Sequence, residues 1–128
     1  MEGSNEPTLR SGAALVSEPS WSATIYVGLK HRETGTILDR ALAIEAIQEY
    51  VDAAGLCVSA TDTEFRYTNG CEPGIAVGLI NYPRFPCDPD RLSEHAIRLA
   101  DALMVACRQM VVTVVMPGTT LMLKRESA

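Results

Sequence analysis

The sequence predicts an α+β sandwich of the ferredoxin-like βαββαβ type, an antiparallel sheet with two helices on one face. Two observations carry this. From Asp88 to Val115 an amphipathic helical pattern runs straight into a β-branched run, with almost no loop between them. Upstream, apolar residues recur first with period two, then with period 3.6, then in two further strand-like segments, so each helix follows a strand.

The helix beginning at Asp88 has a defined start. The Asp88 side chain accepts hydrogen bonds from the first free N–H groups, and Pro89 suits the first helical position, where its missing donor is not needed. Leu92, Ala96, Leu99, Leu103, Ala106 and Met110 form one apolar stripe, widened by Ile97, Ala100, Met104 and Cys107. Arg91, Glu94, His95, Arg98, Asp101 and Arg108 fall on the opposite, solvent side. Val111, Val112, Val114 and Val115, with Thr113 among them, then suit a strand largely buried on both faces.

Residues 1–20 are rich in Ser, Gly, Glu and Pro, show no period, and read as a flexible arm ahead of a single domain over 21–128. Trp21 to Lys30 is the first strand, with Ala23, Ile25, Val27 and Leu29 alternating against Thr24, Tyr26, Gly28 and Lys30. A first helix is expected over Thr36 to Ala54. Thr36 and Asp39 stand at capping-box spacing, Ile44, Ile47 and Val51 form its stripe, and Gly55 ends it. Leu56 to Tyr67 reads as a long polar strand at a sheet edge, bulged near Asp62. Asn69-Gly70 marks a turn, extended as a loop by Cys71 to Gly74. Ile75 to Tyr82 is a third, central strand. After the Val111 strand, Pro117-Gly118 turns the chain and Thr119 to Lys124 returns as a short fifth strand.

In this topology the spatial strand order is 4-1-3-2, and the loops gather at two ends. One end collects Lys30, His31, Arg32 and Glu33 with the Asn69 loop; the other collects Trp21, the Tyr82-Pro83-Arg84-Phe85 stretch and Pro117-Gly118. Ala23, Ile25, Val27, Val77 and Leu79 face the helices. Thr24, Tyr26, Gly28, Ala76, Gly78, Ile80 and Tyr82 then point to the open face, together with valines of the fourth strand. That face is too apolar to remain wet.

Composition narrows the function classes. The 128 residues carry a formal net charge of -5, which argues against nucleic acid or an anionic membrane surface as partner. No apolar run approaches the ~20 residues that span a bilayer. The four cysteines contain no C-x-x-C pair, and Cys71 and Cys87 fall beyond opposite ends of the third strand, too far apart for a disulfide. Reduced thiols and a cytoplasmic location are expected.

The candidate ligand-binding residues are Tyr26, Gly28, His31, Arg32, Gly78, Ile80 and Tyr82. The tyrosines would be amphipathic walls, and the glycines would allow close approach. His31, between Lys30 and Arg32 ahead of a helix start, is a candidate anion site, whereas His95 is expected on the surface. No catalytic triad, metal-ligand spacing or phosphate loop occurs, and no cofactor or metal is expected. The composition therefore favours a small binding or interaction module without chemistry, forming a homodimer through the open sheet face, with a small-molecule or anionic ligand. The alternative is a small cofactor-free enzyme of the isomerase or oxygenase kind, using His31 or a tyrosine.

Overall fold

A computed structural model describes residues 7–126 of the chain. Its elements run β1 (Ser22–Gly28), α1 (Ala41–Ala54), β2 (Val58–Tyr67), β3 (Gly70–Ile80), α2 (Pro89–Ala106), β4 (Val111–Met116) and β5 (Thr119–Lys124). The five strands form one sheet in the order β2-β3-β1-β4-β5, every pair antiparallel. The first four strands thus take the expected order, and the C-terminal stretch adds the fifth at the β4 edge.

The alternation in β1 decides which face meets the helices. Ala23, Ile25 and Val27 are buried, as are Ile75, Val77 and Leu79 of β3 and Val112 and Val114 of β4. They close a core with Ala43 and Ile47 of α1 and with Ala96, Leu99, Ala100, Leu103 and Met104 of α2. Each large side chain so buried contributes about 1.5–3 kcal/mol, and α2 supplies most of them from the helix layer. The predicted stripe of α2 holds from Leu92 to Met104, with Ile97 at its margin, 37% exposed, but the helix ends at Ala106, so Met110 lies beyond it. Asp88 caps the helix, its side chain accepting from the N–H of Asp90 at 3.1 Å.

Several expectations are corrected by backbone hydrogen bonding. α1 begins at Ala41, not Thr36. The intervening residues return along β1, with a Lys30–Ile37 bridge and the Leu38 N–H donating to the carbonyl of Leu29 at 2.7 Å. Asp39 alone does the capping: its Oδ1 accepts from the N–H of Ala41 at 2.9 Å, while the Thr36 hydroxyl pairs with that of Thr34. β2 is an edge strand as its polarity implies, but its pairing with β3 runs without interruption from Val58–Leu79 to Tyr67–Gly70, so there is no bulge at Asp62. Cys71 to Gly74 belongs to β3 rather than to a loop. The hairpin closes on Thr68-Asn69, with Asn69 at φ 65°, a left-handed conformation that Asn tolerates. β3 ends at Ile80, before Tyr82.

All four cysteines are free, with Cys107 buried. Burial in apolar surroundings pushes its thiol up to about 11, so it acts as a small core residue. Asn81 is the one polar side chain buried among the described residues. It donates to the carbonyl of Pro19 and accepts from the N–H of Cys87, both at 3.0 Å, and so ties the start of the domain to the crossover into α2. Residues 7–20 form no helix or strand, and nearly all are exposed; the first six residues of the expected arm lie outside those described.

His95 is not a free surface residue. Its Nδ1 lies 2.8 Å from the Tyr50 hydroxyl, and the two rings meet edge to face, joining α2 to α1. Burial, helped by Arg91, holds the imidazole below its ordinary value of 6.5, and burial raises Tyr50. A lowered histidine pKa means that the unfolded chain binds the proton more readily. This contribution to stability is present above pH 6.5 and is lost as pH falls through that value toward the lower folded pKa. Urea denaturation across this range should show stability declining with acidity in the wild type and a flatter profile in His95→Asn. An unchanged profile in the variant would contradict the assignment.

Candidate functional site

The sheet face turned away from the helices carries a cleft of about 440 Å³ at the end where β1 leaves the sheet. Its floor is made where side chains are missing. A Cβ placed on Gly28 would stand 2.5 Å from Oε2 of Glu72 and 3.1 Å from Oε1 of Gln109, so glycine lets two acceptors lie across β1. Gly74 likewise lies beneath the ring of Phe65, and Gly70 beneath that of Tyr67. The walls are aromatic: Phe65 and Tyr26 meet edge to face with ring centroids 6.2 Å apart, and Tyr67 extends the wall toward the hairpin. Lys30 and Arg32 stand at the mouth.

Strand register explains why these residues meet. Phe65 pairs with Glu72, Tyr26 with Ala76, and Gly28 with Gly74, all on one face of the pleat. Gln109 arrives from the other side, in the short link between α2 and β4. Its Nε2 donates to the carbonyls of Cys107 at 2.9 Å and Lys30 at 3.2 Å. Both donors are thereby used on the backbone, which fixes the amide's orientation and leaves Oε1 as an acceptor above Gly28. Glu72 is the one carboxylate lining the cleft. Two acceptors and an aromatic pair favour a ligand with an apolar or π surface and with donors or positive charge. Among the described residues no group of three or more His, Cys, Asp or Glu is placed to hold a metal ion.

Of the residues singled out from sequence, Tyr26, Gly28 and Arg32 share this cleft. His31 opens instead into a neighbouring hollow, its Nδ1 accepting from the N–H of Thr34 at 3.3 Å. No helix N-terminus stands beside it, because α1 starts only at Ala41. Gly78 is covered by Ser59 of β2, and Ile80 lies exposed at the far end of the same face. Tyr82 is off the face altogether, half-buried in the turn that leads to Phe85. Phe65, Tyr67 and Gln109 escaped the sequence reading, and Glu72, which with Asp62 and Glu64 offers a general acid or base by residue type, reads from sequence as a solvated edge residue. The false bulge at Asp62 and the loop assigned to Cys71–Gly74 hid the register that aims Phe65, Tyr67 and Glu72 into the cleft. Gln109 was within reach, since a fourth strand antiparallel to the first must bring its start beside Gly28.

No family model matches the chain, and no curated protein matches it in sequence. Solved structures do. A phage SAM lyase in complex with S-methyl-5'-thioadenosine superposes with a TM-score of 0.70 at 16% identity, covering 93% of this chain and 98% of that one. A phage SAM lyase in the apo state gives 0.67 at 16% identity, over 90% and 99%. The fold is therefore shared over nearly its full length with an enzyme. This corrects the leading expectation of an interaction module without chemistry.

Gly28→Ala tests the floor of the cleft. The atoms that its Cβ would meet are the far ends of flexible side chains, and a strand glycine costs about 0.5–1 kcal/mol relative to alanine. Folding stability measured in urea should therefore stay within about 1 kcal/mol of the wild type, while a crystal structure shows the Glu72 carboxylate displaced. Collapse of the fold would mean that Glu72 has nowhere else to go.

Proposed function

We propose that the chain is a small enzyme needing no cofactor that acts on S-adenosylmethionine (SAM) or a close sulfonium nucleoside, releasing S-methyl-5'-thioadenosine. The observation that carries this reading is the Glu72–Gln109 acceptor pair over Gly28, set beside the Tyr26–Phe65 aromatic pair. The fold shared with a SAM lyase is consistent with it.

The substrate's chemistry matches this lining group by group. A sulfonium is a cation on an apolar stem, which aromatic faces attract. The adenine ring offers a π surface to the same walls. Ribose hydroxyls and the substrate ammonium are donors, suited to Glu72 and Gln109, while the substrate carboxylate suits Lys30 and Arg32 at the mouth. Release of the thioether breaks the bond between sulfur and Cγ, and the electron pair stays on sulfur and neutralises it. Cγ is satisfied either by a bond to the substrate's own carboxylate oxygen, which closes a lactone, or by transfer of a Cβ proton to the Glu72 carboxylate, which leaves a double bond, so no cofactor is required. This is the enzyme alternative of the sequence reading, with a lyase in place of an isomerase or oxygenase. Four free cysteines support a reducing, cytoplasmic setting, and no helix among the described residues is long and apolar enough to cross a membrane.

Incubating the protein with SAM and quantifying S-methyl-5'-thioadenosine by chromatography tests the reading. The wild type should release product well above the buffer control, and Glu72→Gln should lose about a hundredfold in rate, the scale of removing one electrostatic contact. Its stability should hold, because Glu72 forms no ion pair among the described residues. No product above control, with no binding of the nucleoside, would remove the proposal.

The far end of the open face supports a second copy of the chain as partner. Ile80 and Val115 are 44% and 40% exposed there, and the register sets Ser22 beside Ile80 and Thr24 beside Val115. An apolar patch of this kind fits a homodimer interface, which buries about 800 Å² per partner. Light scattering should show a dimer for the wild type and a folded monomer for Ile80→Asp, since Ile80 has no place in the helix-side core. A monomeric wild type would rule the homodimer out.

A further inference from the structure

We propose that the hollow beside the cleft, lined by His31, Arg32, Arg108 and Arg125, binds a small multiply charged oxyanion of the phosphate or pyrophosphate class. Three separate segments bring these residues together. His31 and Arg32 lie in the loop after β1, closed by the His31 N–H donating to Thr36 and the Gly35 N–H donating to His31, both at 2.8 Å. Arg108 follows α2 in a left-handed conformation, φ 51°. Arg125 follows β5, held by its N–H donating to the carbonyl of Met110 at 2.9 Å. The hollow measures about 330 Å³, with Val105 and Met110 as apolar sides. That lies at the small end of the ~300–1,000 Å³ of ligand pockets.

Charge is what makes this place unusual. The chain holds 16 acidic and 11 basic residues. Yet three arginines line one hollow, and Glu33 is the only acid among its walls. The ion pairs of the described residues are Arg40–Asp62, Arg66–Glu64 and Arg98–Glu94, so none of the three arginines has a carboxylate partner there. Gathered like charges repel, and a bound oxyanion relieves this while accepting from planar guanidinium groups, which match phosphate geometry. His31 adds a donor. Its Nδ1 accepts from Thr34, so the neutral ring carries its proton on Nε2.

A helix C-terminus would ordinarily disfavour an anion, because its free carbonyls carry negative charge. Here the carbonyls of Leu103, Met104 and Val105 accept from the N–H groups of Cys107, Gln109 and Arg108, and that of Cys107 accepts from Gln109 Nε2. Three of the last four carbonyls of α2, and that of Cys107 beyond them, are therefore already satisfied. Arg32 and Met110 line both this hollow and the cleft, yet the oxyanion site stands whether or not the cleft takes a sulfonium nucleoside.

Isothermal titration calorimetry of the full chain with inorganic phosphate and with pyrophosphate, at constant ionic strength, tests the proposal. The expected result is saturable binding of at least one, weakened about tenfold in Arg108→Asn and in Arg125→Gln, the scale of one charge-assisted hydrogen bond. Asn tolerates the left-handed backbone of position 108, and Arg91→Gln on the far side of α2 should leave the affinity unchanged. If phosphate and pyrophosphate both fail to saturate the wild type, the proposal is wrong. It is equally wrong if the two variants lose thermal stability but keep wild-type affinity, because the arginines then serve only the end of α2.

Discussion

The alternation of large and small side chains along β1 and β3 is the constraint on which the rest of the molecule depends. Ile25, Val27, Ile75, Val77 and Leu79 are fully or almost fully buried on one side. Thr24, Gly28, Gly74, Ala76 and Gly78 occupy the other side of the same two paired strands. A slip of one residue would turn every one of these side chains to the wrong face, so one register satisfies both surfaces. The helices cover the bulky side because only there is enough apolar area exposed to hold them.

The small side becomes useful for the same reason. Side chains absent from the centre of the sheet leave depth, and larger neighbours lean into it: Phe65 over Gly74, Tyr67 over Gly70, Glu72 and Gln109 over Gly28. A flat sheet thus acquires a cleft without any loop folding over it. The acceptor at Gln109 is held by the backbone carbonyls of Lys30 and Cys107, so the end of α2, the exit of β1 and the start of β4 are tied at one point. The chemistry offered is acceptors and π faces inside, with cations at the mouth.

Much of this architecture was legible in the residues. The Asp88-Pro89 start and the stripe from Leu92 to Leu103 specify α2, and the period-two pattern of β1 assigns its faces. What escaped was register where composition is polar. β2 has few apolar residues to mark its inner face, and Pro73 and two glycines made the start of β3 look like a loop although its backbone pairs with β2 throughout and with β1 from Gly74 onward. Those errors removed Phe65 and Tyr67 from view and left Glu72 as a solvated edge residue. Tyr26 and Gly28 were found because β1 is strictly alternating and short, whereas Arg32 was picked as part of a basic loop ahead of a helix start that lies instead at Ala41. The Tyr50–His95 contact was illegible, since a histidine at the edge of a helix's polar side shows nothing of what the neighbouring helix presents to it.

On the proposed reading, an open face with a polar-lined aromatic cleft at one end and exposed Ile80 and Val115 at the other would divide one surface between ligand and partner. The most direct measurement is a crystal structure of the protein with S-methyl-5'-thioadenosine. The expected result is the nucleoside against Tyr26 and Phe65, with its donors directed at Glu72 and Gln109. A nucleoside bound elsewhere, or no binding at saturating concentration, would contradict the assignment of the cleft.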